Sequence, residues 1–203
     1  MLGMWASEVT EAISRARGPI SLMGLTYLLA VLTGIAVVGA QNKFALDYWD
    51  KLVSDATAHS RVLKSENSGH HLRAALLDFA GNLGLGAVPE TIAGLSVVFP
   101  FPLAAFRGWV GGVVSVDQRH HSRLTEAREA IYYLVVMVLQ LIPYSLAGGA
   151  GVRLGLRSYS TWGRREVRKW WILPRDATLD VLWIYSVVVP SFLVASLVEF
   201  LAG

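Results

Sequence analysis

Three stretches of this chain carry no charged residue over a length that matches a bilayer. Gly18 to Asn42 runs about twenty-five residues between Arg17 and Lys43, and Ala130 to Val152 and Val181 to Val198 follow later. Roughly twenty apolar residues in a helix cover the hydrocarbon core of a membrane. A soluble domain has no use for such runs, so the chain reads as a polytopic membrane protein. Composition agrees: 54% of residues are hydrophobic and 16% charged, against about 25% charged in soluble domains. The 203 residues suffice for one all-α transmembrane bundle of about five spans and leave no room for a second folded domain.

The boundaries follow from charge, proline and periodicity. Residues 1–18 place Trp5, Val9, Ile13 and Ala16 on one helical face, which predicts an interfacial N-terminal helix. Span 1 is 19–41. It starts too far into the chain and runs too long for a cleaved signal sequence, and it predicts a retained anchor. Residues 42–71 repeat Ala45, Trp49, Leu52, Ala56, His59 and Leu63 at intervals of four and three, the pattern of a polar amphipathic helix. Residues 72–116 have the length of two spans, but Asp78, Glu90 and Arg107 interrupt them and Pro89, Pro100 and Pro102 break helical bonding. A broken span or a re-entrant pair is expected, with its irregular backbone covered by protein or water. A loop (117–128), span 4 (129–156, with Pro143 inside), a basic aromatic interfacial loop (157–178) and span 5 (179–202) complete the chain. Five spans put the N-terminus on the side of the 157–178 loop. The dense basic cluster there predicts a cytoplasmic N-terminus and an extracytoplasmic C-terminus in the inner membrane.

Glycine punctuates the spans. Gly81 and Gly84, Gly108, Gly111 and Gly112, and Gly148, Gly151 and Gly155 form clusters that flatten helix faces for close packing. The Gly81–Gly86 spacing is similar to a phosphate loop, but no strand precedes it and no Lys-Ser/Thr follows. Charge at depth is expensive, so Asp78, Glu90, Gln140, Arg107, Arg153 and Glu199 should face the bundle, a cavity or an interface. Asp78 with Arg107 or Arg153 is the ion pair expected. Trp162, Trp170 and Trp171 interleave with Arg164, Arg165, Arg168 and Lys169, a pattern suited to an anionic lipid leaflet or a docking partner. His70, His71, His120 and His121 are weak metal candidates, because adjacent histidines on a helix point apart. Without cysteine there is neither a disulfide nor a thiolate site, and nothing in the sequence implies a cofactor. A net charge of +3 and the absence of any nucleic-acid motif argue against nucleic acid as a partner. No catalytic triad, nucleotide site or paired catalytic carboxylates stand out, so no enzyme is expected.

The run His71-Leu-Arg-Ala-Ala-Leu-Leu-Asp-Phe-Ala-Gly81 and the run Gln140-Leu-Ile-Pro-Tyr-Ser-Leu-Ala-Gly-Gly-Ala-Gly-Val-Arg-Leu-Gly155 together resemble the stage II sporulation protein M family of integral membrane proteins. The resemblance covers about half the chain. Gln140 stands where that family often has glutamate, and His70 and His71 where it often has asparagine. It implies a bacterial or archaeal membrane protein without known catalysis. Its members are similar to scaffolds that recruit cell-wall enzymes or to accessory components of export systems. The expected function is therefore a non-catalytic membrane scaffold or accessory subunit. Its expected partners are lipids, other membrane subunits, recruited extracytoplasmic proteins or further copies of itself. The alternative is a transporter component with a polar path through residues 72–116.

Overall fold

A computed structural model describes residues 2–163 and 173–201. The described residues are helical, without a strand; one isolated bridge pairs Val116 with Ser122. Three helices are long and apolar enough to cross a membrane: α1 (Leu2–Gly39), α7 (Ala127–Gly163) and α8 (Arg175–Leu201). Shorter helices lie between them: α2 (Lys43–His59), α3 (Arg61–Asn67), α4 (His71–Gly81), α5 (Val88–Ala93) and α6 (Pro100–Val113).

α1 is one helix where a separate interfacial helix and span were expected. Only Gly18-Pro19 lies between the two parts, and no polar stretch is available to form a turn. Opening the helix there would strand backbone groups near the bilayer. Its first turns stay on the bundle, where Trp5 Nε1 donates to Ser186 Oγ at 3.1 Å.

The polar segment after α1 is two helices instead of the single one expected. Asn42 caps α2 by accepting from the Ala45 N–H, and Ser60 caps α3 by accepting from the Leu63 N–H. Serine at position 60 closes one helix and opens the next because its hydroxyl satisfies an orphan amide. Gly69, at φ 75°, turns the chain into α4. Ala45 and Trp49 of α2 are buried against Val38, Val113 and Val116. The loop after α6 is stitched to α2, with His120 Nε2 2.9 Å from Asp50 Oδ1 and the edge of its ring on Trp49. Within that loop Asp117 Oδ1 accepts from the amides of His121 and Arg119. These bonds, His121's first, hold the Asp117 carboxyl below its ordinary range.

α4 continues through a π-helical segment, residues 82–87, into α5 and a 3-10 turn at 94–96. Pro89 explains the wide turn. It has no N–H to give, and its ring would collide with the carbonyl four residues back. In the π register Val88 donates to Leu83, five residues back, and Gly86 lies where a side chain would meet Tyr144. Val97, at φ 67°, then begins the reversal into α6. At 14 residues, α6 is about 21 Å long, short of the ~30 Å hydrocarbon core. The helix is thus interrupted within 72–116 as expected: the rod of α4, the π segment and α5, from His71 to Ala93, is about 34 Å long by helical rise, whereas α6 is too short for a full crossing.

Packed helices run both parallel and antiparallel to one another. Gly24 meets Ser145 and Gly149 meets Ile20, so α1 and α7 are antiparallel; Gly108 meets Tyr27 and Gly112 meets Val31 and Gly34, so α6 runs with α1. Thr91 and Gly94 lie on Gly151, so α5 runs with α7. The centre of the bundle is aromatic: the Tyr27 and Tyr144 rings stack at 6.2 Å, and Phe192 meets Tyr144 edge-on at 4.8 Å.

Candidate functional site: a polar network inside the bundle

Three charged or polar groups are buried at different heights. At mid-bundle, Glu90 on α5 pairs with Arg107 Nη1 on α6. Glu90 is fully buried, and its Oε1 makes no hydrogen bond among the described residues. Arg107 also donates to the Gly86 carbonyl at 3.2 Å and lies 4.6 Å over the Tyr144 ring. The π segment brings the Gly86 carbonyl and Glu90 to the same guanidinium. Tyr144 in turn donates to Asn82 Oδ1 at 2.8 Å, Asn82 donates to Asp78 Oδ2 at 2.8 Å, and Ser196 donates to the same oxygen at 2.7 Å. A line of polar contacts therefore runs along α4–α5 from Asp78 to Glu90. Beside it Thr91 Oγ1 donates to the Ala147 carbonyl at 2.9 Å and lies 2.7 Å from the Tyr185 hydroxyl.

Toward the end of α8, Gln140 Nε2 donates to Glu199 Oε2 at 2.8 Å, and the Tyr132 hydroxyl donates to the Glu199 carbonyl. Both glutamate and glutamine line the floor of a cavity of about 660 Å3, with Tyr27 and Met137. Its rim carries Glu66, Asp117, Arg123 and Glu129. At the opposite end, Asp180 is held by two arginines, Arg15 Nη2 at 2.6 Å and Arg153 Nε at 2.7 Å. Arg157 Nε pairs with Asp176 at 2.9 Å nearby.

The expected pair of Asp78 with Arg107 or Arg153 is not formed. Asp78 lies twelve residues before Glu90 on the same helical rod, about 18 Å by helical rise. Arg107 therefore meets the carboxylate at its own height, and Arg153 meets α8. Neutral donors, Asn82 and Ser196, satisfy Asp78 instead. Asp180 was not singled out from the sequence, because it sits close to the start of an apolar run where a charge is unremarkable. Asn82, Tyr144 and Ser196 gave no sequence signal either: each has an ordinary packing role available to it.

The glycine clusters divide. A side chain at Gly108 or Gly112 would overlap the α1 backbone, and one at Gly151 or Gly155 would overlap that of residues 91–95. At Gly148 it would meet Met23 and Glu90 Oε1, and at Gly111 only the end of Met137. Gly81 and Gly84 have nothing within 4 Å of such a side chain. Gly34 and Gly94, not in the expected set, are the partners of Gly112 and Gly151. His70 and His71 are exposed at the start of α4, and His120 and His121 occupy the α6–α7 loop. Among the described residues no three histidine, aspartate or glutamate side chains stand together as metal ligands. Arg164, Arg165, Arg168, Lys169, Trp170, Trp171 and the side chain of Trp162 lie outside what the structure describes.

These features define the class as an all-helical protein with three membrane-length helices and a buried polar network. No family model, no curated protein and no solved structure matches the chain.

Proposed function

We propose that this protein is a non-catalytic membrane subunit, a scaffold or accessory component that works by holding other proteins. The observation that carries this reading is the closure of its deep charges. Arg107 is paired with Glu90, Arg153 and Arg15 share Asp180, and Asp78 is bonded by Asn82 and Ser196. None of Asp78, Glu90 and Arg107 lines the 660 Å3 cavity. Ion pairs enclosed by their own partners fix helix register and carry nothing across a membrane. The resemblance to the stage II sporulation protein M family supports the same direction and implies a bacterial or archaeal membrane setting. The partner-facing part is the α2–α3 arm, whose Asp47, Asp50, Lys51 and Asp55 are all exposed. Purification of the whole protein in mild detergent should yield co-purifying chains, and these should be lost when Asp47, Lys51 and Asp55 are replaced by serine, leaving Asp50 to hold His120. If no protein accompanies it from its native membrane, the scaffold reading fails.

The proposed topology counts the α4–α5 rod and the short α6 as two further crossings, five in all, with the N-terminus and the end of α7 in the cytoplasm. Helix directions that alternate along the chain, α1 and α6 one way and α5 and α7 the other, support it. A reporter fused after Gly203 should be extracytoplasmic and one placed at Gly163 cytoplasmic. Finding both on one side would remove α8 as a single crossing.

One observation favours transport as a second reading. The cavity leads from a charged rim down to Glu199 and Gln140, and ionisable groups at depth commonly mark ion paths. Vesicles containing the pure protein should show no proton or cation flux above protein-free vesicles if the scaffold reading holds. Flux that disappears in Glu199→Gln while assembly is unchanged would replace that reading with transport.

A further inference from the structure

The end of the bundle that carries Asp180 has its charges sorted onto two sides. One recess of about 240 Å3 is lined by Arg15, Arg153 and Arg157, with Pro19, Leu156 and Ser160 completing the wall. Among the described residues no carboxylate lines it. The acids stand behind the arginines: Asp176 and Asp180 line a separate recess on the far side of Arg15, with Glu8. The way the pairs are made matters more than their number. Asp180 takes Arg153 by its Nε, and Asp176 takes Arg157 by its Nε. Each guanidinium is thus gripped on its side edge. The Nη groups of both arginines make no hydrogen bond among the described residues, and both side chains line the same recess one helical turn apart. Two such forks are suited to the oxygens of one phosphate, since planar guanidiniums bind phosphate with paired N–H donors.

The depth of the recess selects the source of that phosphate. Arg153 and Arg157 are the first charges after the uncharged run 130–152, which puts them at the level where hydrocarbon gives way to headgroups. The recess is bounded by Pro19, and over the next three turns deeper along α1 stand Leu22, Leu25 and Leu29, all about half exposed. A polar head held by the arginines would therefore continue into an apolar strip long enough to guide an acyl chain. Soluble phosphate has no use for that strip.

We propose that the recess between α1 and α7 is a binding site for the phosphodiester headgroup of an anionic phospholipid, held by the Nη groups of Arg153 and Arg157. The site is independent of the scaffold reading, because it needs neither a partner protein nor a closed charge network. It gives the bundle a lipid requirement on the face where the N-terminus lies.

The test uses the full chain in detergent, with lipid adducts read by native mass spectrometry and thermal stability read in parallel. Phosphatidylglycerol should bind the wild type and raise its melting temperature, phosphatidylcholine should do neither, and inorganic phosphate at the same concentration should leave both unchanged. Arg157→Gln, at a half-exposed position, should weaken phosphatidylglycerol binding roughly fivefold, and adding Arg153→Gln should weaken it by a similar factor again. Arg153 also grips Asp180, so a double variant that fails to fold is replaced by Arg157→Gln with Leu156→Gln, which blocks the apolar wall and should abolish the preference. Equal binding of the two lipids overturns the proposal. So does a phosphatidylglycerol preference that survives these changes and is lost when Arg164, Arg165, Arg168 and Lys169 are neutralised. A full effect from inorganic phosphate alone overturns the lipid assignment and makes the recess a site for free phosphate.

Discussion

Glu90→Gln should destabilise the protein more than any other single charge removal in the bundle, by about 3–5 kcal/mol. The substitution keeps the shape of the side chain and one acceptor oxygen, so packing against Gly148 is almost untouched. What it removes is, among the described residues, the one carboxylate paired with Arg107. That guanidinium would be left with a backbone carbonyl, Gly86, and the face of Tyr144. Neither carries a compensating charge, and lipid offers no water to replace one. A second change, Arg107→Gln, should restore most of the loss, because a buried polar pair without charge costs far less than one charge alone. Arg107→Gln by itself leaves Glu90 unpaired and should be nearly as damaging. Removing the charge from Asp176 should by contrast cost ~1 kcal/mol or less, since its pair with Arg157 is half exposed and screened. Thermal unfolding in detergent across the four variants measures this directly. If Glu90→Gln and the double variant melt together with the wild type, the pair does not hold α5 to α6, and the closed-network argument for a scaffold falls with it.

The parts of the fold that were legible in the sequence are those written in long uncharged runs. All but the last three residues of the run Gly18 to Asn42, and the whole of Ala130 to Val152 and Val181 to Val198, lie within α1, α7 and α8. Their ends were not legible, since a helix that leaves the bilayer need not stop. α1 begins at Leu2 and α7 reaches Gly163, in both cases past charged residues that propensity tolerates. The break in the polar segment was missed because an apolar period of three and four continues across Ser60, while a cap needs only one hydroxyl to interrupt it. Pro89 announced trouble in residues 72–116, but whether a proline ends a helix or widens it to the π register depends on what the freed carbonyls meet. Here the Gly86 carbonyl meets Arg107, on a helix that only the tertiary fold brings close. The same reasoning separates the polar residues. Glu90, Arg107, Arg153, Gln140, Glu199 and Asp78 could be singled out because charge and amide are rare in apolar runs. Their pairing could not, because each partner is set by height along a helix and not by distance in sequence. Asp180 shows the cost of that: the residue binding two arginines looked like an ordinary boundary charge.

Gly151→Leu should be the most disruptive of the glycine replacements, and Gly84→Leu among the mildest. The 3-10 turn after α5 crosses α7 with Gly94 set against Gly151 and Gly155, so that two backbones touch with no side chain between them. A leucine at position 151 would be driven into the main chain at Thr91, which cannot rotate away as a side-chain end could. Overpacking in cores costs typically about 1–3 kcal/mol, and meeting backbone places this site at or beyond the top of that range. The displacement would also pull Thr91 Oγ1 from the Ala147 carbonyl, a bond that ties α5 to α7. At Gly148 the new side chain would press on Met23, which can move, and on Glu90, which is held by Arg107. Its effect should therefore shrink in the background where Glu90 and Arg107 are both glutamine, whereas that of Gly151→Leu should not. Gly84 has open space around it, and leucine is the better helix former, so little stability should be lost there. Melting temperature and monodisperse yield in detergent decide the ranking. A Gly151→Leu protein as stable as Gly84→Leu would mean that α5 and α7 do not meet through their backbones, and the hairpin of α5 and α6 would have to sit elsewhere in the bundle.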